Sequence, residues 1–300
     1  MKSMTINEVR YDRPKTTTQR ILSAVIGSVL EWYDFVTYAY LATFISYIFF
    51  PAGDETAALL MGFATFGVGF LARPVGGWFF GSLGDRYGRK IVLTSTVLLM
   101  AVSTSLIGLL PSYTAVGYLA SLLLVVARLG QGLSAGGEAT TAYTYIAESA
   151  DPKRRGWFNS LNSAGCATGI LLGLVTVMTL TICLTNEQLQ SWGWRIPFFL
   201  GVIIAPVGIW MRRSMEETTV FLEQSPPNSN YHQQGVKPWR YGARVFWLCC
   251  FWNVAYCAFL SYMPTFAQKY LHLTREVAFM SNTAAVILFI LATPHIWAYL

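Results

Sequence analysis

The sequence predicts an all-α membrane protein. Three observations carry that reading. Eight apolar runs follow one another along the chain, most near the length of about 20 residues that a spanning helix needs. Charged residues make up only 12% of the chain, about half the usual globular share. Aromatic residues reach 15%, with 10 Trp and 16 Tyr, as expected of rings that line membrane interfaces.

The first 20 residues are polar and basic (Lys2, Arg10, Arg13, Lys15, Arg20). No small-residue cleavage site follows a short apolar stretch, so residues 1–20 are expected to be a retained tail and not a signal peptide. Apolar runs then lie near 21–44, 58–83, 91–110, 114–143, 156–183 and 196–211. The third, IVLTSTVLLMAVSTSLIGLL, carries no charge, which implies lipid or neighbouring helices on every side. The fifth carries Gly165, Gly169 and Gly173, a stripe along which another helix can approach closely. Residues 212–244 are charged, hold Pro226, Pro227 and Pro238, and read as a linker between two bundles. Two more runs follow near 245–268 and 277–300. The expected organisation is a tail (1–20), an N-terminal six-helix bundle (21–211), a linker (212–244) and two helices of a second bundle (245–300).

Lys and Arg in the connections set the orientation. With a cytoplasmic N-terminus, sixteen basic residues fall inside: five in the tail, three in Arg86–Lys90, three in Lys153–Arg155 and five in Arg212–Arg244. Three fall outside: Arg195, Lys269 and Arg275. An inner or plasma-membrane protein with its N-terminus and linker in the cytoplasm is expected. The net charge of +6 is spread over these short loops and forms no single patch, which argues against a nucleic-acid partner. The five cysteines lie in apolar segments without metal-ligand spacing and read as small buried apolar residues.

An internal repeat supports two related bundles. An offset of 220 maps Trp32 onto Trp252, and Leu71-Ala72-x-Pro74 onto Leu291-Ala292-x-Pro294. The same offset would place a second copy of the loop GSLGDRYGRK (81–90) at 301–310, so the chain is expected to stop just before it.

Ionisable groups inside the spans are the candidate site, because such groups are expensive in hydrocarbon and usually face a bundle interior or a watery cavity. Glu31 and Asp34 lie three apart on one face of the first span. Either suits a proton carrier, or a structural carboxylate satisfied by a buried Arg. Tyr38 in the same span is a candidate substrate contact. Arg128, near the middle of the fourth span, offers a planar fork for a carboxylate, with Gln131 one turn on. The alternative for Arg128 is a permanent salt bridge to Glu31 or Asp34. Glu138 is a third protonatable candidate, or else a partner of Arg73 or of the 86–89 loop. Asn253 and Tyr256 would supply polar contacts from the second bundle, or pack helices beside Trp252. His295 reads more simply as a membrane His bonded to a carbonyl than as a proton relay. Gly81, Asp85, Arg86, Gly88 and Arg89, with Arg73, form a candidate latch: the glycines permit a tight turn, and Asp85 accepts from an Arg or from a helix N-terminus.

GSLGDRYGRK resembles the loop between helices two and three of the major facilitator superfamily. EWYDF (31–35), FFP (49–51), GFLARPVGGWFFG (69–81), ARLGQGLSAGGE (127–138), RRG (154–156), WGWRIPFF (192–199) and RRSMEET (212–218) resemble its metabolite:proton symporters, in that family's order. The resemblance covers roughly residues 20 to 225. It implies a major facilitator fold, two six-helix bundles around a central site, and proton-driven symport of a carboxylate or zwitterion such as citrate, α-ketoglutarate, shikimate, proline or betaine. This chain departs from the pattern in having two spans after the linker, so a shortened transporter without activity of its own is the alternative. No metal or organic cofactor is implied. A rival from another class rests on GLSAG (132–136), which matches G-x-S-x-G; it would make Ser134 a nucleophile with His295 or His272 as base.

Overall fold

The structure, a computed structural model, describes residues 17–50, 55–213, 215–218, 221–222, 238–256 and 263–299. Among the described residues there is no strand. Nine helices among the described residues carry the architecture: α1 (Thr17–Phe49), α2 (Glu55–Tyr87), α3 (Arg89–Leu109), α4 (Tyr118–Ser149), α5 (Arg155–Cys183), α6 (Ile196–Arg213), α7 (Pro238–Tyr256), α8 (Met263–Tyr270) and α9 (Arg275–Tyr299). Short helical turns at Tyr113–Val116 and Asn186–Ser191 fill two of the connections.

By length and composition alone, Thr56–Tyr87, Arg89–Leu109, Tyr118–Ser149 and Pro152–Cys183 are long and apolar enough to cross a membrane. The 33-residue α1 matches α2 in length but carries Glu31 and Asp34 in its middle. The seventh expected span differs in detail. Its residues carry α7 (Pro238–Tyr256), which reaches back into the stretch expected as linker, and α8 (Met263–Tyr270), while 257–262 lie outside the described residues.

Packing follows the small residues. Without a hydrophobic drive between helices in lipid, close van der Waals approach holds them together. The glycine stripe of α5 lies on α1: a Cβ at Gly165 would meet Val25, one at Gly169 the Val29 carbonyl, and one at Gly173 the Tyr33 carbonyl. The pairing of α2 with α4 is closer still. Gly132 faces the Gly69 carbonyl, Gly76 faces the backbone of Leu133, and Gly136 faces the Arg73 carbonyl. Helix α3 packs on α4 and α6, and α9 packs on α5.

Two apolar clusters form inside α1–α6. One gathers Tyr38, Leu41, Ile45, Phe49, Ile107, Leu124, Trp194 and Phe198. The other gathers Ile21, Ala24, Leu93, Tyr145, Ile146, Phe158 and Met215. Between them, α1, α3 and α4 bury a polar layer: Glu31, Asp34, Thr96, Thr104, Arg128, Gln131, Ser134 and Glu138. The outward faces are apolar, with Leu60, Trp78, Leu122, Val175 and Trp210 exposed, as a hydrocarbon surround requires. The cysteines depart from expectation. Cys183 and Cys249 are exposed, so they are small apolar groups on the outer surface and not in the core, and Cys166 and Cys250 are half-buried. Cys257 lies outside the described residues.

Candidate functional site

The polar layer brings together three of the predicted residues. The Asp34 carboxylate on α1 accepts from Thr104 Oγ1 on α3 at 3.0 Å and from Gln131 Nε2 on α4. Gln131 Nε2 also reaches Thr104 Oγ1 at 3.0 Å. Arg128 Nη1 donates to Gln131 Oε1 at 2.5 Å. Gln131 therefore stands between the guanidinium and the carboxylate, relaying one to the other. Among the described residues, the alternative for Arg128, a permanent salt bridge to Glu31 or Asp34, is not formed. Instead the Arg128 guanidinium lies 3.5 Å from the centroid of the Tyr38 ring. Its Nε and the Tyr38 hydroxyl are both buried without a hydrogen-bond partner.

The other two carboxylates are paired differently. Glu31 faces Arg73 Nη2 at 3.1 Å. Glu138 is bound by Arg212 on α6, and its Oε2 also accepts from Thr96 Oγ1 at 2.6 Å. Neither Arg73 nor the 86–89 loop is the partner of Glu138, because Arg212 occupies it. Arg212 also donates to the carbonyls of Leu93, Ser23 and Ala24, so one guanidinium joins α1, α3, α4 and α6. Of the three candidate proton sites, Asp34 alone is held by neutral donors.

Arg73 does not join the 81–90 loop. Its guanidinium sits among aromatic rings, 4.9 Å from Phe70, 5.1 Å from Phe35 and 5.9 Å from Trp32. A small cavity of about 20 Å³ is lined by Glu31, Asp34, Phe35, Phe66, Arg73, Arg128 and Gln131. Asn253 and Tyr256 fall on α7, but their side chains lie outside the described residues, as does that of Trp252.

The charged loop is a turn made at Gly88, which has a φ of 100°. Gly81 lies inside α2, with nothing near the place a Cβ would take, so it contributes neither a turn nor a close approach. Arg89 Nη1 binds Asp85 at 2.6 Å, and its Nη2 reaches Glu148 of α4 at 3.3 Å. Arg86 packs over the Tyr87 ring at 5.3 Å. The N-terminus of α3 is capped by Glu217, which accepts from Arg89 N at 2.9 Å and Lys90 N at 3.2 Å. Thr218 Oγ1 donates to Glu148 at 2.7 Å, and Arg20 binds Glu216. The segment after α6 is thus tied to the ends of α1, α3 and α4.

Residues 21–226 match the family model described as "Sugar (and other) transporter", well over half of the chain. The chain belongs to that family, within the major facilitator superfamily. Solved members share its fold: the inward-open xylose transporter XylE from E. coli has a TM-score of 0.63 at 21% identity, covering 70% of this chain and 50% of that one. A D-xylose-proton symporter has a TM-score of 0.66 at 18% identity, covering 91% of this chain and 66% of that one. Among curated relatives, the proline/betaine transporter of Salmonella typhimurium is 34% identical over 289 residues, 92% of this chain. The glycine betaine/proline/ectoine/pipecolic acid transporter of Dickeya dadantii is 34% identical over 285 residues, 91% of this chain. The chain spans 58% and 57% of those relatives' lengths. This family member is a multi-pass membrane protein and not an enzyme. Ser134 fits that conclusion, since it sits inside α4 with no strand before it and donates to the Thr96 carbonyl at 2.6 Å. His295 and His272 are exposed.

Several site residues were not singled out in the sequence. Thr104 and Thr96 lie in a run without charge, where a hydroxyl gives no pattern of its own. Arg212 was assigned to the linker although it is the last turn of α6. The aromatic cluster did leave a signal: Trp32 and Phe35 are three apart, and Phe66, Phe70 and Arg73 are four and three apart, all at helix-face spacing.

Proposed function

We propose that this protein is a proton-coupled secondary transporter that moves a small carboxylate or zwitterion by alternating access. One observation carries the reading: Asp34 is buried mid-helix, held by the neutral donors Thr104 and Gln131, with the Arg128 guanidinium one side chain away. Such a carboxylate is free to gain and lose a proton without breaking an ion pair, whereas Glu31 and Glu138 must each leave an arginine. Asp34 is accordingly the proton carrier. When it is protonated, its hold on Gln131 weakens, and Gln131 loosens its hold on Arg128. The guanidinium then offers its fork to a substrate carboxylate. Proton uptake and substrate binding are coupled through one amide side chain.

The two named relatives are transporters of proline, betaine and kindred solutes, all zwitterions, and this supports a zwitterionic cargo. Orientation with the charged loops in the cytoplasm, a six-helix bundle followed by a linker and part of a second bundle, and a latch built from Gly88, Asp85, Arg89, Glu148 and Glu217 complete the reading. In it the bundles rock about the polar layer while the latch opens and closes.

The test is uptake of labelled citrate, α-ketoglutarate and glycine betaine into proteoliposomes with an imposed pH gradient, acid outside. Accumulation of one of them that collapses with the gradient supports the proposal. Uptake that ignores the gradient, or is unchanged in Asp34→Asn, overturns the coupling. A second reading, that further spans are needed for transport, is favoured by the 58% share of the relatives' length. Uptake by the 300-residue chain alone would exclude it.

A further inference from the structure

Three ring faces surround one cation in this protein. Trp32, Phe35 and Phe70 lie 5.9, 5.1 and 4.9 Å from the Arg73 guanidinium carbon. That is within the distance at which a ring face attracts a positive charge, and a cage of this kind is how proteins recognise quaternary ammonium groups. We infer that this box is the subsite for the cationic head of the solute, an alkylated ammonium group, and that the Arg73 guanidinium sits where that head binds. The inference rests on the transport reading above and adds the class of cargo.

The surroundings match a zwitterion. Phe35 and Arg73 of the box line the same cavity as Arg128. Arg128 is 4% exposed, and its Nε has no partner. Phe66 links the two positions, 4.7 Å from the Phe35 ring and 5.6 Å from the Arg128 carbon. A solute with its carboxylate on Arg128 would lay its positive end toward the box. Glu31, 3.1 Å from Arg73, remains as counter-ion for whichever cation is there. The rings also select the kind of cation. They accept no ordinary hydrogen bonds, so a primary ammonium would leave donors unmet beyond what Glu31 can take. A quaternary ammonium has no donor to lose and presents methyl groups to the rings.

The experiment measures equilibrium binding of labelled glycine betaine to the purified 300-residue chain, with 3,3-dimethylbutanoate as the same shape without the positive charge. Betaine is expected to bind at least about tenfold more tightly than the isostere. Replacing Trp32 and Phe70 together by Leu should weaken betaine about tenfold or more and the isostere less than about threefold, while Trp32→Phe keeps betaine within about threefold. Arg73→Gln removes the resident cation and should tighten betaine about fivefold, a gain that misfolding cannot produce. No saturable betaine binding by the unaltered chain, equal binding of betaine and isostere, equal losses in the Leu variant, or no gain in Arg73→Gln overturns the inference. The transport reading fails separately. Proteoliposomes that show this binding pattern but no gradient-driven uptake would sink it and leave the subsite supported, whereas gradient-driven uptake indifferent to the rings would sink the subsite alone.

Discussion

Glu138 on α4 and Arg212 at the end of α6 form an ion pair in which the two side chains are 3% and 0% exposed. Arg212 also donates to three backbone carbonyls on α1 and α3. Removing the guanidinium strands a carboxylate away from water, and that loss exceeds the worth of the pair itself. Arg212→Met should therefore destabilise the protein by about 3–5 kcal/mol, read as a fall in thermal midpoint in detergent. The double replacement Arg212→Met with Glu138→Leu should recover more than half of that loss. A single variant within about 0.5 kcal/mol of the unaltered protein would mean that water reaches Glu138 and the pair is not buried.

Asp34 makes a contrasting prediction. Asn keeps the shape and can still bond Thr104 Oγ1 and Gln131 but cannot change charge. Asp34→Asn should lower gradient-driven accumulation at least about tenfold while solute exchange across the same vesicles stays within about threefold. Glu138→Gln, whose native partner is an arginine, should instead lose stability before it loses coupling. The opposite ranking of the two variants would move the proton to Glu138.

Much of this was legible in the sequence because spanning helices leave long, one-dimensional signals. Five of the six apolar runs before the linker begin and end within five residues of a helix in the structure, and the α5 glycines do meet another helix. Asp34, Arg128 and Gln131 could be chosen because a charge or amide in an apolar run stands out. Pairing was another matter. Arg212 lies 74 residues from Glu138, and Glu217 lies 128 from Arg89 N, so both partnerships are decided by how helices assemble and not by local spacing. Gly81 misled for the opposite reason: a glycine beside a charged loop reads as a turn, yet α2 runs straight through it to Tyr87.

The close crossing of α2 and α4 predicts a ranking among glycines. A Cβ at Gly136 would strike the Arg73 carbonyl and the Gly77 amide, both backbone atoms that cannot swing aside. Gly136→Ala should lower stability by about 1–3 kcal/mol. At Gly81 nothing lies within 4 Å of the added atom, so Gly81→Ala should be neutral or gain up to about 1 kcal/mol from helix propensity. Thermal unfolding of the two variants side by side gives the answer. Equal effects would mean the helices do not cross so closely.

Glu217 reaches across 128 residues to the N-terminus of α3, where two main-chain N–H groups would otherwise have no helical partner. An anion there is also favoured by the positive end of the helix. Its approach depends on Gly88, whose φ of 100° suits only a residue without a side chain, and whose absent Cβ leaves room for the carboxylate itself. Glu217→Ala should therefore cost about 1–2 kcal/mol, and Gly88→Ala a similar amount through strain and collision together. The two losses share one contact, so the double variant should fall short of their sum by at least about 0.5 kcal/mol. Strict additivity, measured by chemical unfolding of the four proteins, would show that the cap and the turn act independently.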